Sequence, residues 1–380
     1  MKTIDLLLPN HSDGTSVYRG MGPMNALAKD RADIACRLIS TADWTSAQGA
    51  HLLIAQRPYT DQHLNICMMY RANGAKLILD YDDYLFGVPE SNRAYDIYMK
   101  PGVHKNMLVM MALADAVMVS TPALASMLEL EMARRNLRPA NFVVVPNAHN
   151  DLVFGPIHHS VTKRPEAPIA MWRGSDTHLE DVLTHIPGLK YVFENTPKET
   201  FFAFFGMRPW FTRGILDPKR RIHIGAHDPT EYTIALRDIA AHVVHVPLDS
   251  CEFNLCKSNI AWIEATHSGS VVVAPDWPEW KRPGVICYQP NDNESFARAM
   301  MYALGLSEEG RMSMVDDSRR FIEQHLLLSK VNLQRESVID AVLKGDLRAE
   351  PSALAGRSST ATAVDQHIRQ TLTEWGSLQD

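Results

Sequence analysis

A lysine, a serine and a glutamate share one short segment that could bind a phosphorylated ligand. Residues 247–275 read PLDSCEFNLCKSNIAWIEATHSGSVVVAP, in which a polar loop leads into a helical stretch, then a glycine and an apolar strand. If the helix begins near Lys257, Glu264 lies about two turns further on and on nearly the same face. Ser258 or a neighbour can cap the helix, and Gly269 can end it in the left-handed conformation.

This segment fits the chemistry of a nucleoside diphosphate sugar. Free N–H groups and the dipole at a helix start attract phosphate, and Lys257 can neutralise it. Glu264 can accept hydrogen bonds from ribose hydroxyls, as an acidic residue does in dinucleotide-binding folds. A solvated helix with an unrelated lysine and glutamate is the alternative interpretation.

A second group of candidates follows an apolar run at 168–172. Arg173 precedes Gly174 and Ser175, so its guanidinium can lie at a domain cleft and bind a diphosphate together with Lys257. His178 belongs to the same loop, and we select it as a catalytic candidate although none of the sixteen histidines has a metal-binding spacing such as H-E-x-x-H. An ordinary surface loop is the alternative.

The loop after the first predicted strand also carries polar groups. It reads PNHSDGTSVYRGMG, in which His11 and Arg19 can face a cleft while Gly14, Gly20 and Gly22 permit tight turns. The glycines do not form the G-x-G-x-x-G fingerprint of dinucleotide-binding folds. Ordinary turn chemistry accounts for them equally well.

The elements that must position these residues alternate between strand and helix. Such alternation predicts an α/β protein with parallel sheets. The pattern pauses at residues 146–166, which are dense in Pro, His, Asn and Gly, and we place the hinge there. Strands are predicted at 4–8, 51–55, 76–79, 116–120 and 142–145 in the first half, and at 168–172, 200–206, 221–224, 242–247, 271–274 and 284–288 in the second.

Length and composition agree with this organisation. A chain of 380 residues suits two domains, predicted at 1–150 and 165–345, followed by a linker and terminal helix at 346–380. The net charge of −6 argues against a surface that is basic throughout, as in general nucleic-acid or membrane binders. Five cysteines without C-x-x-C spacing indicate a reducing compartment, and no apolar run is long enough for a membrane span. We therefore expect a soluble, cytoplasmic protein.

Together these stretches resemble family 4-like (group 1) glycosyltransferases of the GT-B fold, which are common in bacteriophage and bacterial genomes. Residues 253–275 resemble their donor-site helix, and Val145-Pro146-Asn147 with Asp151 is similar to the turn at their domain junction. Met171 to Ser175, with His178, resembles the loop after the first strand of their second domain. The resemblance implies two Rossmann-like domains facing a cleft, an acceptor-side domain first and a donor domain second, with a C-terminal tail helix.

The sequence departs from the family pattern at the donor sugar. The family often has two glutamates eight residues apart, the first touching the sugar and the second the ribose. Glu264 matches the second, whereas Cys256 occupies the first position. Asn254 or Glu252 from the adjoining loop can substitute, and we include Asn254 among the donor-binding candidates.

Three acids follow the predicted strand at 76–79. Asp80 and Asp82 have the D-x-D spacing that holds a divalent ion in GT-A glycosyltransferases, and Asp83 adds a third carboxylate that needs a cation, hydrogen bonds or solvent. Because the phosphate-binding pattern lies in the other half, we assign these acids to the acceptor side. Asp80 is placed at the cleft, Asp82 and Asp83 are catalytic candidates, and no metal requirement is expected, since Lys257 and Arg173 supply the positive charge. Acids that cap the next helix are the alternative.

The resemblance implies a hexosyl- or pentosyltransferase that uses a nucleoside diphosphate sugar, such as a UDP-sugar, with retention at the anomeric carbon and no other cofactor. The acceptor stays open between a glycan, a lipid-linked sugar, a metabolite and a hydroxymethylated base in phage DNA, in which case the enzyme acts in the host cytoplasm. The basic run Lys219-Arg220-Arg221 can serve a DNA backbone or be a solvated turn. A noncatalytic nucleotide- or sugar-binding protein and a GT-B-like epimerase or phosphorylase are the alternative functions.

Overall fold

The computed structural model describes residues 1–9, 14–41, 47–138, 140–157 and 164–346. Two six-stranded parallel sheets form its core, each covered by helices, so the predicted α/β class and two-sheet architecture are confirmed. His11 and residues 347–380, which include the predicted terminal helix, lie outside the described residues.

The first sheet has the strand order β2-β1-β3-β4-β5-β6. Its central strands are buried on both faces, as parallel strands are when helices cover them. The sequence prediction missed β2, an edge strand in which the side chains of Arg37 and Leu38 are exposed, because it lacks a continuous apolar run. The strands are β1 (Lys2–Leu7), β2 (Ile34–Ile39), β3 (Leu52–Gln56), β4 (Lys76–Tyr81), β5 (Ala116–Val119) and β6 (Phe142–Val144).

Local sequence explains where several helices of this half begin. Thr60 and Thr121 each accept a hydrogen bond from a backbone N–H in the first turn of the next helix. A π-helical turn at Ser16–Met21 runs directly into the first α-helix. The helices are α1 (Gly22–Asp30), α2 (Asp61–Ala72), α3 (Tyr95–Tyr98), α4 (Pro101–Leu113), α5 (Pro122–Arg134) and α6 (Asp151–Phe154).

The second sheet has the order β12-β11-β10-β7-β8-β9. The strands β8 and β9 are added on one side of β7, and β10 to β12 are added on its other side. This reversal of the strand order between β7 and β10 opens a crevice at the carboxyl ends of the two strands. The strands are β7 (Ile169–Gly174), β8 (Phe201–Gly206), β9 (Arg221–Ile224), β10 (Val243–His245), β11 (Val271–Pro275) and β12 (Val285–Tyr288).

The last helix returns to the first sheet. Helix α14 packs against α1, α6 and β4, and the Asn332 amide donates to the carbonyl of Pro23 at 2.9 Å. The predicted range of the second domain, 165–345, therefore includes a helix whose partners lie in the first. The helices of this half are α7 (Leu179–Thr184), α8 (Ile186–Asn195), α9 (Pro229–Ile239), α10 (Glu252–Leu255), α11 (Ile260–His267), α12 (Asn293–Leu304), α13 (Glu308–His325) and α14 (Leu328–Lys344).

The segment that returns the chain from α13 to α14 is bonded to His149, just before α6. The backbone N–H of His149 donates to Leu326 at 2.8 Å, and the N–H of Leu328 donates back to His149 at 2.8 Å. We call β1–β6, α1–α6 and α14 the N-terminal domain, and β7–β12 with α7–α13 the C-terminal domain. Within the described ranges, no helix has both the length and the apolar character needed to cross a membrane.

Candidate active site

A cavity of about 610 Å³ lies between the two domains at the carboxyl ends of their strands. The segments after β7 and β10 and the start of α11 form its C-terminal wall, at the point where ligands bind in open α/β sheets. The segments after β1 and β4, together with Asn147, form its N-terminal wall. The predicted site residues on these walls are Arg19, Asp82, Asp83, Arg173, Gly174, His178, Lys257, Ser258 and Glu264.

Glu264 is the centre of a hydrogen-bonded cluster in this cavity. Its Oε1 accepts the Tyr18 hydroxyl at 2.8 Å, and its Oε2 accepts the Tyr232 hydroxyl at 3.0 Å. Burial raises the pKa of both phenols well above the usual value, so both stay protonated and donate. Sequence reasoning missed the two tyrosines, which lie far from Glu264 along the chain and belong to no motif.

Arg173, the next to last residue of β7, lies against the same carboxylate. Its Nη2 is 2.6 Å from Glu264 Oε2 in an ion pair, and the enclosed Nε has no hydrogen-bond partner among the described residues. Burial disfavours its charge, but Glu264 together with the phenols of Tyr232 and Tyr18 outweighs burial and raises the pKa of the guanidinium. The guanidinium is therefore charged at the wall of the cavity, where it would attract an anionic ligand.

Gly174 follows Arg173 and has no room for a side chain. A Cβ atom built there would lie 2.8 Å from the ring of Trp172, closer than real Cβ contacts allow. The glycine therefore lets the strand end close to the indole while Arg173 keeps its place.

Lys257 and Ser258 lie in a loop rather than at the start of a helix. Helix α11 begins at Ile260 with Asn259 as its N-cap, three residues later than the sequence interpretation assumed. The intervening loop separates α10 from α11, because the Cys256 backbone is tied to the other domain, where its carbonyl accepts the Thr121 hydroxyl at 2.9 Å. Gly269 follows the helix with a φ of 73°, as predicted.

Both loop residues contact the N-terminal wall. Lys257 Nζ lies 3.3 Å from Asp83 Oδ1 and 4.3 Å from the centre of the Phe253 ring. Ser258 Oγ accepts the Asn147 amide at 2.7 Å. The loop is thus held across the cleft, with the ammonium group facing the cavity.

The acids at the end of β4 are each paired with a cation. Asp82 accepts both Nε and Nη2 of Arg57 at 2.7–2.9 Å, and Asp83 lies 3.0 Å from the same guanidinium. Burial opposes ionisation of Asp83, but Lys257 and Arg57 outweigh it and hold the pKa of Asp83 below its usual value. Sequence reasoning missed Arg57, whose φ of 46° is rare for an L-residue and marks local strain.

Asp80 occupies a different place from the one that the sequence predicted. Strand β4 continues to Tyr81, so Asp80 is a strand residue and not part of the loop. Its two oxygens accept Nε and Nη2 of Arg19 at 2.9 and 2.8 Å, and both side chains are only 1% exposed. Asp80 thus lies beneath the cavity, where it fixes Arg19.

His178 lines the C-terminal wall in a short 3-10 turn after β7. Its Nδ1 lies 2.8 Å from Asp181 Oδ2. The other oxygen of Asp181 accepts the Asn254 amide at 2.6 Å and the backbone N–H of Asp249 at 3.1 Å. Burial, followed by the charge of Lys257, lowers the pKa of His178, so the ring is neutral at neutral pH.

Neither Cys256, at the position of the missing glutamate, nor its candidate substitutes Asn254 and Glu252 line the cavity. Asn254 is behind the wall, where it holds Asp181. Cys256 is completely buried among apolar residues of the N-terminal domain, so its thiol does not face the cavity. The predicted contact of Asn254 with the donor stays a prediction, and the contacts above give it a supporting position.

No protein-family model matches the sequence, and no curated protein matches it. Solved structures do match it. Sucrose-phosphate synthase from Thermosynechococcus elongatus is 14% identical with a TM-score of 0.69, covering 91% of this chain and 100% of that one. An Anabaena protein, HepE, solved in complex with UDP and glucose, is 11% identical with a TM-score of 0.65, covering 90% and 100%. The chain has the GT-B fold.

The GT-B fold by itself leaves the reaction open. A candidate UDP-N-acetylglucosamine 2-epimerase from Listeria monocytogenes is 12% identical with a TM-score of 0.57, covering 92% of this chain and 98% of that one. The fold is thus compatible with more than one reaction, and the residues of the cavity distinguish between them.

Proposed function

We propose that the chain is a glycosyltransferase that moves a sugar from a nucleoside diphosphate sugar to an acceptor hydroxyl. The observation that carries this proposal is the placement of two cations, Arg173 and Lys257, beside the Glu264 carboxylate in a cavity at the switch between β7 and β10. A diphosphate would pair with the two cations, and a ribose would donate hydrogen bonds to the carboxylate. Charge that develops on the departing diphosphate is stabilised by the same two cations.

UDP-sugars are the donors to test first. The Anabaena neighbour was solved with UDP and glucose, and an E. coli trehalose-6-phosphate neighbour with UDP-2-fluoro glucose. Retention also fits the charges in the cavity, because the nearby carboxylates are held by arginine or lysine and are poor nucleophiles or bases. In a same-face reaction the acceptor oxygen bonds the anomeric carbon, the bond to diphosphate breaks, and the diphosphate oxygen takes the acceptor proton.

The role of His178 depends on whether the reaction retains or inverts the configuration at the anomeric carbon. Its ring is neutral, and Asp181 holds Nδ1, so Nε2 is a second possible destination for the acceptor proton. A retained product is expected, with His178 contacting the sugar. An inverted product would assign the base role to His178.

The N-terminal wall is the proposed acceptor side. Arg57 neutralises Asp82, and Lys257 of the opposite wall pairs with Asp83, so neither carboxylate is unpaired and this wall suits an uncharged, hydroxyl-bearing group such as a glycan.

A hydroxymethylated base in phage DNA is the second candidate acceptor. Of the basic run at 219–221, Lys219 is exposed, whereas Arg220 donates to the carbonyls of Phe193 and Thr200. Lys219 and the exposed Arg208 and Arg213, all on the C-terminal domain, can contact phosphates of a DNA backbone.

The proposed place of action is the cytoplasm. All five cysteines are free thiols, as in proteins of a reducing compartment. A phage-encoded chain would act in the cytoplasm of its host.

Incubation of the protein with UDP-, GDP- and TDP-sugars, followed by detection of the released nucleotide, tests the proposal. Donor hydrolysis that is lost in Arg173→Ala supports glycosyl transfer, and added oligosaccharides or hydroxymethylated DNA then identify the acceptor. Binding without turnover would indicate a noncatalytic protein. Conversion of the sugar without an acceptor, or release that requires inorganic phosphate, would indicate an epimerase or a phosphorylase.

A further inference from the structure

The hydroxyl of Tyr18 crosses the cleft and occupies one oxygen of Glu264. The O···O distance is 2.8 Å, and the two residues belong to opposite walls. The second oxygen of Glu264 already accepts Tyr232 and lies against Arg173. The side chain of Glu264 is 8% exposed, so a ligand hydroxyl that approaches Oε1 meets the Tyr18 phenol first.

The backbone of Tyr18 is fixed in the N-terminal domain. It lies in the π-helical turn Ser16–Met21, a type of turn frequent at functional sites. The next residue, Arg19, is anchored by the buried pair with Asp80, and a Cβ at Gly20 would lie only 2.5 Å from Leu8. The phenol therefore reaches the opposite wall from a rigid base.

A ribose hydroxyl and the Tyr18 hydroxyl can donate the same hydrogen bond to Glu264. Both are neutral O–H groups that donate to a carboxylate. Tyr232 also donates to this carboxylate, but from α9 of the same domain as Glu264. Of these two hydrogen bonds to Glu264, only the one from Tyr18 joins the two walls.

We propose that Tyr18 is a positioning residue of the donor site, which holds Glu264 against the N-terminal wall in the empty protein and yields Oε1 to the ribose when a sugar nucleotide binds. This inference rests on the proposed function. It makes the Tyr18 hydroxyl a competitor of the nucleotide for one oxygen of Glu264.

Titration calorimetry of Tyr18→Phe with UDP, uridine and inorganic diphosphate tests the proposal, with Tyr232→Phe as the matched control. Removal of the competing hydroxyl should tighten binding of UDP and of uridine about three- to tenfold, as expected for one net hydrogen bond. Affinity for diphosphate should not change, because diphosphate does not require Glu264. Tyr232→Phe should tighten none of them. In turnover assays, Tyr18→Phe should lower the KM for the donor without raising kcat.

The outcomes distinguish a failure of the role of Tyr18 from a failure of the proposed function. A wild-type protein that binds none of UDP, GDP and TDP overturns the proposed function and the role of Tyr18 together. A wild-type protein that binds UDP, with equal or weaker binding in Tyr18→Phe, overturns the role of Tyr18 alone.

Discussion

The two walls of the cavity hold their charges in different ways. On the N-terminal side, Asp80 and Asp82 are each neutralised by an arginine of the same domain through two or more short hydrogen bonds. On the C-terminal wall, Arg173 shares the Glu264 carboxylate with two phenols, and Lys257 reaches across the cleft to Asp83. Two arginine–carboxylate pairs within one domain suit an uncharged acceptor, whereas two cations near one carboxylate suit an anion. Under our proposal the two domains therefore have different tasks.

The largest expected effect is on the free energy of unfolding of the C-terminal domain, because this domain contains several buried histidines. Burial lowers the pKa of His242 and His267 to about 4 and that of His245 to about 3. Below pH 6.5 the unfolded chain takes up protons that the folded domain does not, so the free energy of unfolding falls until about pH 4. By pH 5 each of these histidines should cost about 1–2 kcal/mol, and above pH 6.5 the effect is absent.

Urea unfolding at pH 7.5 and pH 5, followed by tryptophan fluorescence, measures this loss. Five of the seven tryptophans are in the C-terminal domain, at 172, 210, 262, 277 and 280. His242→Asn is the matched variant, since an amide oxygen can replace Nδ1 as the acceptor of the Ile169 N–H but cannot be protonated. The pH dependence should shrink by about 1–2 kcal/mol in this variant, and an unchanged dependence would contradict the assignment.

The second effect tests the C-terminal wall directly. Arg173→Ala and Lys257→Ala should each weaken nucleoside diphosphate binding by about 1.5–3 kcal/mol, because each removes a charge-assisted contact with phosphate. Arg173→Lys keeps the charge but not the planar fork, and we expect an intermediate loss. Calorimetry gives the affinities, with thermal unfolding as the control for folding. Unchanged UDP affinity in both alanine variants would move the anion away from this wall.

The third effect tests the N-terminal wall. Asp82→Asn removes the partner charge of Arg57 and should lower turnover about tenfold through misplacement of the acceptor, while nucleotide affinity stays nearly intact. Activity should also survive EDTA, because Arg173 and Lys257 line the cavity in which we propose that the diphosphate binds and supply positive charge there. A strict requirement for Mn²⁺ or Mg²⁺, together with loss of nucleotide binding in Asp82→Asn, would reverse the roles of the two walls.

The smallest effect concerns Glu264. Glu264→Gln keeps the size of the side chain and removes its charge, so uridine and UDP should bind about three- to tenfold more weakly. Binding of inorganic diphosphate should not weaken. If it weakens equally, the substitution has damaged α11 rather than ribose recognition.

The sequence predicts those parts of this structure that depend on neighbours in the chain. Apolar runs such as 271–274 mark buried strands, and Gly269 marks a helix end, because burial and backbone conformation are encoded locally. Helix α11 starts three residues later than the sequence predicts, since tertiary contacts hold Lys257 and Ser258 in a loop. The partners Tyr18 and Arg57 could not be found, because they meet Glu264 and Asp82 across 246 and 25 residues with no motif to announce them.

The bonds between His149 and residues 326–328 have a consequence for shortened chains. They join the segment before α6 to the segment that carries the chain back from α13 to α14, which are far apart in the sequence. A fragment that ends at residue 150 would lose these bonds, and it would expose to water the faces of α1 and β4 that α14 covers in the whole chain. The first sheet therefore depends for its covering on a helix that the chain supplies only after the second sheet is complete.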